Sequence, residues 1–242
     1  MRNVLQPDAP QSLAQGKSNV TNRRADSVVV LDFETTGLCI DKGDRAIEVG
    51  AVLVEEGRIT RRFQQLMNPG VRINEFVESL TGISNRMLAK APPCAEVMEQ
   101  FADFIGDHNL VAHNASFDKR VLDAELQGIK RHYGGKFACS LLVSRRIYPD
   151  APNHKLGGLV AYKQLATDGV FHRALADSEM TARLWLKMLE DIVQRYPIPS
   201  LSFRQLRKLS RQKNKTVHKF LTAQCALAGP GNSGLGESCP VP

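Results

Sequence analysis

Apolar and polar positions alternate in blocks that set out most of a fold. Ser27–Asp32 ("SVVVLD") packs three valines and a leucine into a strand-like run. From Arg45 to Pro69, two β-rich runs flank the turn Glu55–Gly57 and predict a hairpin, which Pro69 and Gly70 end. Two helices are expected between Ser84 and His108, interrupted at Ala91–Cys94. Pro92 and Pro93 start the second, whose Val97, Phe101, Phe104 and Ile105 share a face. Asn109–Asn114 reads as a short strand, and Ser116 as the N-cap of a helix running to Ile129. Further helices are expected over 137–149 and 155–165. The long amphipathic segment 174–196 puts Leu175, Met180, Leu184, Leu186 and Leu189 on its apolar side, and Pro197 and Pro199 stop it. Three strands followed by helices that alternate with at least one more strand make a mixed α/β sheet.

Composition places this pattern in an ordinary globular chain. The 242 residues are 43% hydrophobic and 24% charged, no apolar run approaches the ~20 residues of a membrane helix, and the N-terminus lacks the apolar stretch of a secretory signal. Five scattered cysteines, none in a CxxC pair, fit a reducing cytoplasm rather than a disulfide framework or a zinc site. The net charge of +7 is unevenly spread. Residues 201–242 hold seven Lys/Arg against one acid, and residues 1–26 hold four against two, so 27–200 is close to neutral. Three regions follow: a flexible N-terminal arm over 1–26, a domain over 27–200, and a basic, then Gly/Ser/Pro-rich extension over 201–242. The cationic extension suits a polyanion and equally a solvated tail that aids solubility, and Ser202 is placed to cap a short helix within it.

The first strand raises a chemical question, because Asp32 and Glu34 follow its valines with only Phe33 between them. Strand alternation puts both carboxylates on one face. Such a pair is repulsive unless a positive group sits between them, and a hard divalent cation with oxygen ligands is the natural partner. Two other segments carry acids at helix starts. "HNASFD" places Asp118 in a first helical turn, and "HRALAD" sets His172 five residues before Asp177 at the head of the long helix. Singly, each acid is explained by the helix dipole.

Together, the three segments resemble the motifs of the DEDDh 3′→5′ exonuclease family, its proofreading, DnaQ-like group in particular. "VVVLDFETTGL" matches the first motif, "HNASFD" the second and "HRALAD" the third, in the right order over Ser27–Tyr196. "DRAIEVGAV" and "LTGISNRML" between them look alike as well. The resemblance implies an RNase H-like mixed β-sheet flanked by helices, in a single nuclease domain with flexible termini. It implies two Mg²⁺ or Mn²⁺ ions held by Asp32, Glu34, Asp118 and Asp177, which together stabilise the attacking and leaving oxygens at phosphorus. Asp32 would bridge both ions beside Glu34, Asp177 would serve the first ion and Asp118 the second. His172 would be the general base, its ordinary pKa near ~6.5 suiting proton abstraction at neutral pH. Thr35, Thr36, Gly37 and Leu38 would meet the 3′-terminal nucleotide, and His113, Asn114 and Phe117 would flank it. Where many relatives carry Asp-Thr this chain has Cys139 and Ser140, a departure outside the metal-binding four.

The implied activity is release of 5′-mononucleotides from nucleic acid 3′ ends, single-stranded DNA favoured, in a proofreading or repair role. The alternatives are an exoribonuclease of the RNase T or oligoribonuclease kind and an inactive nucleic-acid-binding module, against which the intact acids and histidine weigh. A DNA polymerase or a sliding clamp is the candidate protein partner. "IPSLSF", Ile198–Phe203, loosely resembles a clamp-binding peptide without its leading glutamine. No membrane role is expected, and a cytoplasmic location is.

Overall fold

A computed structural model describes residues 23–167 and 172–227. The expected flexibility of residues 1–22 and of the Gly/Ser/Pro-rich end beyond 227 lies outside the described residues. Five strands form one sheet in the order β3-β2-β1-β4-β5: β1 Val28–Thr35, β2 Ala46–Glu55, β3 Arg58–Leu66, β4 Leu110–Ala112 and β5 Phe137–Cys139. β1, β2 and β3 pair antiparallel, while β4 and β5 continue the sheet in parallel. The β2–β3 turn is two residues, Glu56 and Gly57, with φ of 51° and 79°, the left-handed pair that matches the twist of a tight hairpin.

β1 and nearly all of β2 are buried on both faces, so their apolar residues run together instead of alternating. One face, with Val28, Val30, Val52, Val54 and Val111, packs against α5 Ser140–Ile147, α6 Leu156–Tyr162 and α7 Ala174–Arg195. Trp185 of α7 is wholly buried there and donates its indole N–H to Ala25 O at 2.7 Å. The other face, with Val29, Leu31, Phe33, Val49, Ala51 and Leu53, is covered by α3 Cys94–Ile105 and α4 Ser116–Gly128. α1 Glu75–Thr81 and α2 Asn85–Leu88 close a smaller cluster around Ile47.

Four local expectations change. Phe137–Cys139 is a strand, not the start of a helix, because pairing with β4 satisfies its backbone at the sheet edge, and the helix begins at Ser140. α1 adds a helix before Ser84, capped by Asn74, whose side chain accepts from Val77 N. Ser116 is the first helical residue of α4 instead of its cap, which is Ala115 and makes no side-chain bond. The clamp-like stretch is core: Ile198, Leu201 and Phe203 are 1%, 6% and 0% exposed, so it is not available as an extended peptide.

The segment after Pro199 packs on the sheet. Ser202 and Gln205 form a capping box that opens α8 Phe203–Leu209, and α9 Val217–Leu227 follows. Leu206, Leu209, Val217 and Leu221 join the α7 face. At the other end, Ala25 N donates to Leu201 O at 2.8 Å, so residues 23–26 and 201–203 brace each other.

Candidate active site

The site is assembled where β1 ends. Asp32 and Glu34 point to the α7 face, opposite Gly50 and Glu48 of β2 in the antiparallel register. Gly50 lets α7 begin directly on the strand. A Cβ there would lie 2.1 Å from the Ala174 carbonyl carbon and from Leu175 N, and Ser178 Oγ donates to Gly50 O at 2.9 Å. This contact brings Asp177, in the first turn of α7, over the strand. Oxygens of Asp32, Glu34 and Asp177 all lie within 4.8 Å of one another. Asp118 arrives from α4 on the opposite side, buried, with Oδ1 accepting from Phe33 N at 3.3 Å. All four motif acids thus converge on one strand end.

Their electrostatics are those of crowded, half-buried carboxylates lacking a counter-ion. Burial, then the charges of Asp118, Asp177, Glu34 and Glu48, hold the Asp32 carboxyl well above its usual range. Burial and Asp177, Glu48 and Asp118 push Glu34 up to about 8, with Arg173 opposing. Burial lifts Asp118 to about 7 against the Phe33 N–H. Asp177 is raised by burial too, although the backbones of His172 and Arg173 favour its charged form. Arg173 is committed elsewhere. Its Nε and Nη2 meet the two oxygens of Glu48 at 3.2 and 2.8 Å, and Glu48 also accepts from Ala174 N and Gln64 Nε2. A compact set of hard oxygen donors, with the neighbouring Arg173 already paired to Glu48, fits divalent metal, whose binding would displace protons from these acids.

His172 precedes Arg173 with its side chain exposed and its backbone at φ 59°, in the left-handed region that a non-glycine residue adopts only at a cost. Its backbone lies against Asp177 and favours the charged form of that carboxyl. The turn after the acids is tied internally. Thr35 Oγ1 donates to Gly37 O at 2.6 Å and Thr36 Oγ1 to Asp44 Oδ1 at 2.9 Å, while Cys39 N donates to Asp44 Oδ2. Leu38 stands out from this turn, 75% exposed. Asn114 is exposed at φ 66°, and Phe117 is half-buried against the α3–α4 cluster. His113 is occupied at both nitrogens: Nε2–H donates to His154 O at 2.9 Å and Nδ1 faces Ser140 Oγ at 2.8 Å, while burial lowers the ring's pKa against the His154 carbonyl.

Two ion pairs, each of a buried acid with a half-exposed arginine, escape the motif reading. One is Glu48–Arg173, which fixes the segment carrying His172 and Asp177. The other is Arg45–Glu125, bidentate at 2.8 Å on both arms, with Ala46 N adding a third bond to Glu125. Glu125 lies seven residues from Asp118 on the same face of α4, so this pair ties that face to the start of β2. The signal for Glu48 is present in "AIEVGAVLV", where an acid stands alone in an apolar strand just as Asp32 does.

A sheet of this order with an acidic cluster at the end of its central strand defines a metal-dependent nuclease of RNase H-like architecture. The RNase T exonuclease family matches residues 29–185, and the chain belongs to that family, as a 3′→5′ nuclease of the DEDDh type. DNA polymerase III subunit epsilon of Aquifex aeolicus is 34% identical over 189 residues, covering 76% of this chain and 90% of that protein. The 3′-5′ exonuclease DinG of Bacillus subtilis is 39% identical over 189 residues, but the chain spans only 19% of its length. Among solved structures, exonuclease X in complex with 5′ overhanging duplex DNA superposes with a TM-score of 0.61 at 25% identity, over 76% of this chain and 99% of that one. No described helix is long and apolar enough to cross a membrane.

Proposed function

We propose that the chain removes nucleotides one at a time from nucleic acid 3′ ends, DNA preferred, releasing 5′-mononucleotides. The observation that carries this reading is the convergence of Asp32, Glu34 and Asp177 within 4.8 Å, with Asp118 buried behind them. Asp32, Glu34, Asp118 and Asp177 would hold two Mg²⁺ or Mn²⁺ ions, which when bound supply electrostatic stabilisation to the attacking and leaving oxygens of an in-line displacement. His172 takes the proton of the attacking water, and its exposed side chain leaves it open to solvent and substrate. Glu48 and Arg173 position it, since a strained backbone persists only where the surroundings over-determine it.

Leu38 is the apolar edge against which the terminal base rests, and the Thr35–Gly37 backbone meets the terminal nucleotide. Asn114 contacts the terminal sugar or phosphate, and Phe117 borders the base. His113, with both nitrogens bonded, acts by holding β4 against the 154 loop. The Aquifex relative's name supports a DNA polymerase as partner, and the scattered cysteines support a cytoplasmic setting. Turnover of single- and double-stranded DNA and RNA 3′ ends at equal concentration tests the substrate. Faster removal from DNA is expected, and preference for RNA ends would move the assignment to an exoribonuclease.

A further inference from the structure

The basic residues after Pro199 are not scattered over a free tail. α8, α9 and the turn between them carry Arg204, Arg207, Lys208, Arg211, Lys213, Lys215 and Lys219 and no acid. Their apolar sides are in the core, so the charges are presented outward on a fixed frame. All but the half-buried Arg207 are exposed, and among the described residues none of the seven is in an ion pair. Burial and the neighbouring Arg211 both disfavour the charge of Arg207. Like charges held together without an acid destabilise the fold unless an anion joins them.

The patch connects to the acid cluster through α5. Arg146 Nη1 donates to Asn214 Oδ1 at 3.1 Å, between Lys213 and Lys215, while its buried Nε has no partner. Its neighbour Arg145 lines a groove of about 530 Å³ with Lys155, Asn114, His113 and Leu142. Asn114 is four residues from Asp118. A row of cations is thus set out from that groove, beside the start of the helix that carries Asp118: Lys155 and Arg145 line the groove, Arg146 follows Arg145 and reaches Asn214, and Lys213, Lys215 and Arg211 lie in the same turn as Asn214. Half of that row, Arg211, Lys213 and Lys215, lies beyond residues 29–185, the part that matches the exonuclease family.

We propose that this row binds the phosphate backbone of the nucleic acid strand whose 3′ end lies at the acid cluster, taking the exonuclease reading for the position of that end. The domain needs such a surface because its catalytic face is acidic and 27–200 carries almost no net charge. Backbone contacts of this kind are indifferent to sequence and release counter-ions, so they weaken steeply with salt.

The test is binding of a fluorescent thymidine homopolymer of about 30 nucleotides, long enough to span such a groove, to the full chain in EDTA, titrated with salt. Because nothing is hydrolysed in chelator, this outcome is separate from that of the nuclease reading. Removing three phosphate contacts in Arg211→Gln/Lys213→Gln/Lys215→Gln should make log K against log[salt] shallower by ~2, at ~0.7 per contact on a single strand. Arg145→Gln/Lys155→Gln, on different elements, should remove ~1.4 by the same arithmetic. Lys130→Gln, at the far end of α4, should leave the slope alone. The uridine homopolymer should behave as the thymidine one does. Unchanged slopes in both multiple variants, with melting temperatures intact, would overturn the proposal and turn the search to an acidic protein partner. A slope change equally large in Lys130→Gln would overturn it as well.

Discussion

Gly50→Ala probes how the fold makes the site, because the added methyl acts only through the start of α7. The new Cβ would sit 2.1 Å from two backbone atoms of Ala174 and Leu175, and backbone cannot swing aside as a side-chain end can. Restoring an ordinary contact of 3.4 Å requires that helix end to retreat by roughly 1.3 Å, and an ångström of misplacement at a reacting centre costs ~10²-fold in rate. The retreat carries Asp177 away from Asp32 and Glu34 and loosens the Ser178–Gly50 bond. Overpacking a close contact costs about 1–3 kcal/mol, or roughly 2–12 °C of melting temperature in a domain of this size. The assay pairs thermal unfolding with turnover on a 5′-labelled oligonucleotide. The expected result is a folded protein, somewhat less stable, with activity down ~10²-fold. Wild-type activity at wild-type stability would show that the α7–β2 contact does not position the acid cluster.

Other outcomes follow from the same geometry. Without metal, Glu34 at about 8 and Asp118 at about 7 hold protons near neutral pH that the unfolded chain loses above ~4.5. The folded state then binds more protons between pH ~5 and ~8, so metal-free stability falls as pH rises through that window. Mg²⁺ or Mn²⁺ should raise the melting temperature more at the alkaline end, and a flat metal-free profile would contradict this. His172→Ala should lower turnover ~10²–10⁴-fold while metal and DNA binding persist, and wild-type turnover near neutral pH would remove it as the base. Arg173→Met strands the wholly buried Glu48; breaking a buried pair costs ~3–5 kcal/mol, and the low end is expected because Arg173 is 34% exposed. Denaturant midpoints should show Glu48→Met/Arg173→Met recovering part of that loss.

The sequence made the site more legible than the fold around it. Asp32 and Glu34 were readable because acids in an apolar strand are a chemical anomaly, and Asp118 and Asp177, ordinary by themselves at helix starts, because their segments follow the first in the order of the family's motifs. Glu48 posed the same anomaly but lies outside the three motifs, and its partner Arg173 is 125 residues away, a pairing that local pattern does not encode. β5 was hidden because three residues are too few to show a period, and its strand character comes from β4 beside it. α1 was hidden because only Val77 and Thr81 of its seven residues are buried, while Phe76 is 73% exposed. The apolar repeat Phe203, Leu206, Leu209 lay within a run of cations, and charge alone gives no sign that its other side is core.

Digestion of a 5′-end-labelled single DNA strand with Mg²⁺, analysed for fragment length and released product, tests the central claim most directly. The account predicts a ladder that shortens from the 3′ end with release of 5′-mononucleotides, abolished by EDTA and by Asp32→Asn but not by the surface change Glu56→Gln. Full activity in EDTA, loss from the 5′ end, or internal cutting of a circular single strand would contradict it.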